Sequence, residues 1–358
     1  MKILYAIQGT GNGHISRARD IITLLQKKGE LDLLISGTEA DVELGFPVKY
    51  TLKGLSFVFG KKGGVDLVST YKKARLKRFY NEIKNLPVKD YDLVISDFEP
   101  VSAWACRLRH KKCIGLSHQS AVINKKSPKP KNIDPAGKLI LKNYAPVAVE
   151  YGFHFMQYDK KIFMPVIRNE IRNAENMNLG HYTVYLPAYS DAKIIKVLSQ
   201  VSNAEWQVFS KHTEKAYWQK NIAIFPINNQ GFIKSMVTAA GVFCGAGFET
   251  PSEALFLEKK LMVIPMKGQY EQQCNAAALK KMNVPVLKKL KLSQLEKIKE
   301  WVKEGKIINV NYPDITERIV DKIFDKHISV KDKYFAEPGT VPYSLKKLRK
   351  IIVDNIQQ

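Results

Sequence analysis

The chain opens on an unbroken apolar run, Ile3 to Ile7, that stops at Gln8-Gly9. A short apolar run closed by glycine predicts a first strand over Lys2–Gln8, and helical periodicity predicts a helix over Ile15–Lys27. A strand at Leu31–Ser36 follows, then two short apolar runs at Val48–Leu52 and Leu55–Phe59, and a basic helical segment over about Leu67–Leu86. Asp92–Ser96 predicts a strand, Pro100–Arg109 a helix and Cys113–Ser117 a strand. The second half repeats the plan. Strands are expected at His181–Leu186, Trp206–Ser210, Ile222–Phe225, Val242–Cys244 and Leu261–Ile264. Helices are expected at Ala192–Val201, Gly231–Ala239, Pro251–Leu257 and Gln269–Lys281. Strands alternating with helices in both halves predict two Rossmann-like parallel-sheet domains of the α/β class.

Ile162-Phe163-Met164-Pro165 reads as the last strand of the first half, and Arg168–Leu179 is polar and rich in asparagine. The expected division is a first domain over 1–165, a linker over 166–180, a second domain over 181–330 and a basic extension over 331–358. Within the extension, Leu345–Ile356 has the pattern of an amphipathic helix.

The length of 358 residues suits two domains, and 45% hydrophobic residues fill two cores. No apolar run approaches the roughly 20 residues of a membrane-spanning helix. The opening run ends without a small-residue cleavage site, so it reads as a strand and not a signal peptide. Cys106, Cys113, Cys244 and Cys274 show no Cys-x-x-Cys spacing, which points to free thiols in a reducing cytoplasm and away from structural zinc. The charge is less ordinary: 57 Lys and Arg against 34 Asp and Glu give +23. The excess thickens at Lys125–Lys131 and from Lys280 to Lys306. Anionic lipid, nucleic acid, phosphorylated substrates and a merely solvated basic surface all fit such a balance. No nucleic-acid motif or aromatic-basic interleaving is present, which argues against nucleic acid.

Three loops carry candidate chemistry. The first, Gln8-Gly9-Thr10-Gly11-Asn12-Gly13-His14, joins the first strand to a helix. Its glycines allow tight turning and close approach to an anion at the helix start. The dinucleotide fingerprint needs glycine at position 14, where this chain has His14, and the Lys-Ser/Thr ending of a P-loop is absent. What remains is a loop that delivers an imidazole to the carboxyl end of a central strand. There it can accept a proton from a hydroxyl, or merely cap the helix or bind phosphate.

The second loop is Cys244-Gly245-Ala246-Gly247-Phe248-Glu249-Thr250-Pro251-Ser252-Glu253. Thr250 as N-cap, Pro251 at the first helical position and Glu253 three residues after the cap spell a capping box. The same helix start offers N–H groups and a positive dipole end to a diphosphate. The third, Gln269-Tyr270-Glu271-Gln272-Gln273-Cys274-Asn275, crowds carboxylate and amide groups that suit sugar hydroxyls.

Gly-x-Gly-x-Gly-His at 9–14, Gly247 to Leu255, and Glu271-Gln272-Gln273-x-Asn275-Ala276, in this order, resemble the nucleotide-sugar glycosyltransferases of the GT-B fold. The resemblance is nearest to the UDP-glycosyltransferases and to the N-acetylglucosaminyltransferase that forms lipid II, and it spans roughly residues 1–285. It implies two Rossmann-like domains facing a cleft, with the acceptor held by the first and the donor by the second. It implies His14 as catalytic base, Thr250 at the diphosphate-binding helix start, Glu253 on the donor ribose, and Gln272 and Gln273 on the donor sugar, with Glu271 beside them as a donor-binding candidate. Gly11, Gly13, Gly245 and Gly247 would border the donor phosphates, and the nucleotide base would lie by Pro226-Ile227-Asn228. Relatives usually invert at the anomeric carbon and need no metal or other cofactor besides the UDP-sugar substrate. The chain departs from the pattern at Leu186-Pro187-Ala188-Tyr189-Ser190, which lacks the usual glycines but leaves Ser190 for phosphate. It departs again at Phe243 and Gly245, where some relatives carry His or Arg.

Further candidates lie in the first half. Asp97 or Glu99, after the strand Asp92–Ser96, can orient His14 as a triad acid does, or Asp97 can cap a helix. His118 and Gln119, at the same rim, are candidate acceptor contacts. Asp90-Tyr91-Asp92 matches Asp-x-Asp but precedes its strand and reads as a turn, and His154 reads as a core residue. Lys125–Lys131, held extended by two prolines, and Ala136–Val149, which mixes Ile140, Leu141, Tyr144, Val147 and Val149 with Lys138 and Lys142, suit an anionic membrane face and a lipid-linked acceptor. A soluble acceptor fits the same residues. Two other functions remain open on sequence: a nucleotide-sugar 2-epimerase or hydrolase on the same fold, and a non-catalytic basic binding protein.

Overall fold

The computed structural model describes residues 1–37, 44–55, 76–132 and 134–328. Most of the Leu55–Phe59 run, the first part of the basic segment at Leu67–Leu86 and the whole 331–358 extension lie outside the described residues. The chain forms two compact units. The first holds Met1–Lys125, Asp134–Val166 and the chain from Asp314; the second holds a short stretch from Lys126 and Ile167–Pro313.

In chain order the first unit contains β1 (Lys2–Gln8), α1 (Asn12–Gln26), β2 (Glu30–Ser36), β3 (Tyr50–Leu52), α2 (Leu76–Asn85), β4 (Leu93–Asp97), α3 (Pro100–Leu108), β5 (Ile114–Leu116), α4 (His118–Ile123), α5 (Pro135–Tyr144), β6 (Val149–Phe153) and β7 (Ile162–Phe163). All seven strands run parallel, in the order β3-β2-β1-β4-β5-β6-β7. Ile3 to Ile7 are wholly buried, because β1 is central and covered on both faces. The chain winds from β1 outward through β2 to β3, then returns to β4 on the other side of β1. The switch point of the sheet therefore lies at the carboxyl ends of β1 and β4, where Ile7 pairs with Asp97.

The second unit contains α6 (Asn169–Arg172), β8 (Tyr182–Tyr185), α7 (Asp191–Leu198), β9 (Trp206–Ser210), β10 (Tyr217–Gln219), β11 (Ile222–Pro226), α8 (Asn229–Thr238), β12 (Gly241–Gly245), α9 (Glu249–Phe256), β13 (Lys260–Ile264), α10 (Tyr270–Lys281) and α11 (Leu295–Glu304). Its strand order is β10-β11-β9-β8-β12-β13, with β10 alone antiparallel. The switch point here lies between β8 and β12. Tyr182, Trp206, Phe243 and Trp301 pack ring against ring in the core.

Two expected boundaries move. The stretch 166–180 is not a free linker: Ile171 is fully buried, and the amides of Met177 and Leu179 donate to the carbonyls of Val237 and Thr238. The chain from 314 leaves the second unit, against the expected extent to 330. Its helix α12 (Thr316–His327) rejoins the first, where Lys28 pairs with Asp321 at 2.5 Å and the Tyr151 hydroxyl lies 3.0 Å from His327 Nε2.

Candidate active site

The first unit builds its site at the switch point of its sheet. The Gly9 amide donates to the Ser36 carbonyl at 2.7 Å, and a Cβ at Gly9 would stand 2.8 Å from Ile35 Cγ2, so a side chain there would force Ile35 to shift. Gly11 is the extended residue that enters α1, with open space where a Cβ would point, and Gly13 lies in the first turn. The helix starts at Asn12, earlier than the predicted Ile15, so His14 is itself a first-turn residue. That turn has no acidic residue and no side-chain cap.

The His14 ring is 14% exposed, and its Nδ1 lies 2.9 Å from Oδ1 of Asp97, which is fully buried. An ionised carboxylate can only accept, so Nδ1 carries the proton and Nε2 keeps its lone pair. The Gln119 amide nitrogen lies 3.2 Å from that Nε2. Arg17, one turn along the same face of α1, donates Nη2 to both Asp97 oxygens at 2.8 and 2.7 Å. Burial alone would raise the Asp97 carboxyl, but the charges and hydrogen bonds of Arg17 and His14 hold it below its ordinary value. The arrangement is a buried anion that orients an imidazole whose other nitrogen faces the Gln119 amide.

Glu99 does not share this task. Its oxygens accept from the amides of Val101 and Ser102 at 2.7 and 2.6 Å, so Glu99 caps α3. The reason is local. Phe98 takes the left-handed region at φ 56°, its ring tilted against Tyr144, which moves the cap two residues past Asp97 and leaves Asp97 to His14. His118 is likewise no open contact. It is 1% exposed, and its Nδ1 donates to the Phe153 carbonyl at 2.8 Å, edge-on to the buried His154. Asp92 accepts from the Lys2 amide at 2.7 Å, a tie between chain segments. In the basic loop, Ser127 and Pro128 are buried and Lys129 Nζ donates to the Ser127 carbonyl, so the prolines do not keep that segment outside the fold.

The second unit gathers its loops at the carboxyl ends of β12 and β13. Gly245 closes β12 beside the Gln272 amide, Gly247 has open space at its Cβ position, and Ala246 is buried. The predicted capping box does not form. Phe248 adopts helical backbone and becomes the cap, so α9 starts at Glu249 and Thr250 lies within its first turn. Within that turn Pro251 brings no N–H, and the Ser252 amide donates to the Phe248 carbonyl at 3.1 Å. Glu253, 2% exposed, faces Arg168, which binds its two oxygens at 2.5 and 2.8 Å. Gln272 Oε1 accepts from the Met266 amide at 2.9 Å, and Asn275 donates to the Ala246 carbonyl at 3.1 Å, so α10 holds both loops. Glu271 and Gln273 are half-buried in the first turn of α10. Ile227, also half-buried, donates its amide to the Ser210 carbonyl at 3.1 Å, and Ser190 is exposed ahead of α7.

A family model described as glycosyl transferase family 1 matches residues 1–304. The chain belongs to that family. It is a glycosyltransferase of the GT-B fold, and solved structures similar to it have the same architecture. A UDP-glucosyltransferase from Polygonum tinctorium matches at a TM-score of 0.56 and 11% identity over 98% of both chains. UGT2 of Phytolacca americana matches at 0.56 and 11% over 99% of both. MurG of Acinetobacter baumannii matches at 0.50 and 12%, over 91% of this chain and all of the other. No curated protein matches the chain in sequence.

Sequence patterns left out two residues of this glycosyltransferase. Arg17 stands three positions after His14, a helical spacing that puts both on one face of α1. Arg168 carries no such signal, because its partner Glu253 is 85 positions away.

Proposed function

We propose that this glycosyltransferase moves a sugar from a UDP-sugar to an acceptor hydroxyl with inversion at the anomeric carbon, and that His14 is the general base. The observation that carries the reading is the Nδ1–Asp97 bond, which directs the Nε2 lone pair away from the buried anion. In the reaction Nε2 takes the hydroxyl proton while the oxygen attacks the anomeric carbon. The bond from that carbon to the diphosphate breaks, and the electron pair leaves with UDP. Asp97 stabilises the imidazolium. The open loop at Gly247 and the positive dipole end of α9 suit the diphosphate charge. UDP as the donor nucleotide is supported by two similar structures, a UDP-glucosyltransferase and a complex with UDP-2fluoro-glucose. Gln272, Gln273 and Glu271 are assigned to the sugar, Glu253 to the ribose and Ile227 to the base.

We also place the enzyme in the cytoplasm, at an anionic membrane face, with a lipid-linked acceptor. The support is α5, where half-exposed Leu139, Ile140 and Leu141 lie among exposed Lys138 and Lys142.

The deciding experiment is a screen of UDP-sugars with and without candidate acceptors, following UDP release and product mass. Transfer that needs an acceptor supports the reading. Turnover of donor alone makes the chain a hydrolase or epimerase, and no binding of any nucleoside diphosphate at millimolar concentration overturns the donor assignment.

A further inference from the structure

We propose that Arg17 is a positioning residue for the transfer: it keeps Asp97 an anion and opposes protonation of His14, and so sets how far into acid the enzyme works. The inference rests on the reading of His14 as base. Arg17 is 1% exposed, and its guanidinium carbon stands 5.3 Å from the Phe153 ring. A buried guanidinium is costly unless paired, and Asp97 is its pair.

The consequence for His14 follows from charge. A carboxylate alone beside an imidazole favours the imidazolium. Here a permanent cation grips both oxygens of that carboxylate, and its Nη2 also lies 3.3 Å from His14 Nδ1. The attraction of Asp97 for a second proton on His14 is therefore offset, and the neutral ring is favoured. The groups around the imidazole leave this balance in place. From α4 comes the neutral amide of Gln119, while His118 on the same helix is bonded to the Phe153 carbonyl. From β1 comes Tyr5, whose phenol burial and Asp97 keep neutral. Glu99, beyond β4, is bound to the first amides of α3.

The test uses the full chain with isotope-labelled histidine, the His14 signal being assigned by its loss in His14→Gln. Its titration is followed in wild type, Arg17→Met and Arg17→Lys. The His14 midpoint is expected to rise by about one pH unit or more in Arg17→Met, and to return toward wild type in Arg17→Lys, which restores the charge. The acid limb of kcat/KM is expected to move up by the same amount. If Arg17→Met does not fold, Arg17→Gln takes its place, since it keeps an N–H donor for Asp97 and drops the charge. An unmoved midpoint overturns the proposal; a purely structural Arg17 would lower kcat and Tm at every pH without moving it. The titration needs no turnover, so it stands apart from the failure of His14 as base, which an active His14→Ala variant would show.

Discussion

Arg168 grips Glu253 through two hydrogen bonds, from Nε at 2.5 Å and Nη2 at 2.8 Å, while its Nη1 donates to Asn229 at 3.0 Å. Three parts of the second unit meet at this one guanidinium: its first residues, the start of α8 and the middle of α9. Burial would lower the Arg168 pKa, but the Glu253 charge outweighs it and the net shift is upward. The fork also fixes where the Glu253 carboxylate stands, so a ribose that uses Glu253 meets an oriented anion.

Removing one partner of such a pair strands the other's charge in the interior. Arg168→Met is expected to lower stability by roughly 3–5 kcal/mol, and the double variant Arg168→Met/Glu253→Leu by much less. Urea unfolding of the two single variants and the double variant measures the coupling. Losses that simply add would show that the two residues do not act as a pair.

His14→Ala is expected to cost roughly 10²–10⁴-fold in turnover and to leave UDP-sugar affinity nearly intact, since a base acts in the transition state. Asp97→Asn should lower turnover as well, because the amide can no longer hold the Nδ1–H tautomer as an anion does. Calorimetry and steady-state rates separate binding from chemistry. Turnover unchanged in His14→Ala, or a loss of donor affinity equal to the loss of rate, counts against the base role.

Much of this site is legible in the sequence, and the limits are physical. The run Ile3 to Ile7 shows a central parallel strand because it is apolar at every position, and glycines at 9, 11 and 13 mark a loop that must turn closely. Asp97 as partner of His14 is visible from its place at a strand end. That Glu99 caps the next helix is not, because it depends on the left-handed turn at Phe98, a conformation that a phenylalanine does not signal in sequence. The Thr250–Glu253 spacing matches a capping box as well as the real arrangement, and only the distant Arg168 decides between them. β6 reads Val149-Glu150-Tyr151-Gly152-Phe153, where a charge and a glycine break the apolar run. Gly152 is needed there, since a Cβ would stand 2.4 Å from the Ala121 amide nitrogen.

The two glutamines of α10 should behave differently. Gln272 holds the Met266 amide, so Gln272→Ala loosens the loop after β13 and is expected to weaken UDP and UDP-sugar alike. Gln273→Ala is expected to weaken the UDP-sugar more than UDP. Isothermal titration of both ligands against both variants checks this. Equal losses for Gln273→Ala would remove it from the sugar pocket.

His181, 5% exposed, donates Nε2–H to the Ser235 carbonyl at 3.0 Å, and burial lowers its pKa below the ordinary 6.5. The unfolded chain therefore binds a proton at a higher pH than the folded one. The stability from this group is complete above about pH 6.5 and is lost as the pH falls below it, at up to about 1.4 kcal/mol per pH unit. His181→Gln keeps a donor for Ser235 and cannot titrate. Unfolding free energies between pH 7.5 and the lowest pH at which both proteins fold should slope less steeply in the variant. Parallel slopes would mean that His181 titrates alike folded and unfolded.

The chain carries a formal charge of +23. Lys125, Lys126 and Lys131 are exposed, whereas Lys129 is half-buried and bonded to the Ser127 carbonyl. On α5, exposed Lys138 and Lys142 accompany half-exposed Leu139, Ile140 and Leu141. A lysine near an anionic leaflet contributes about 1 kcal/mol, so a few together give measurable attraction that salt weakens within a Debye length. The chain is expected to sediment with phosphatidylglycerol vesicles at low salt, and not with phosphatidylcholine vesicles. A variant with Lys125, Lys126, Lys131, Lys138 and Lys142 changed to Glu should lose this binding while keeping its UDP affinity. Loss of binding at high salt in wild type, together with retention in Leu139→Ser/Leu141→Ser, would assign the attraction to charge alone. Absence of vesicle binding at low salt would remove the membrane from the proposal and leave a soluble acceptor.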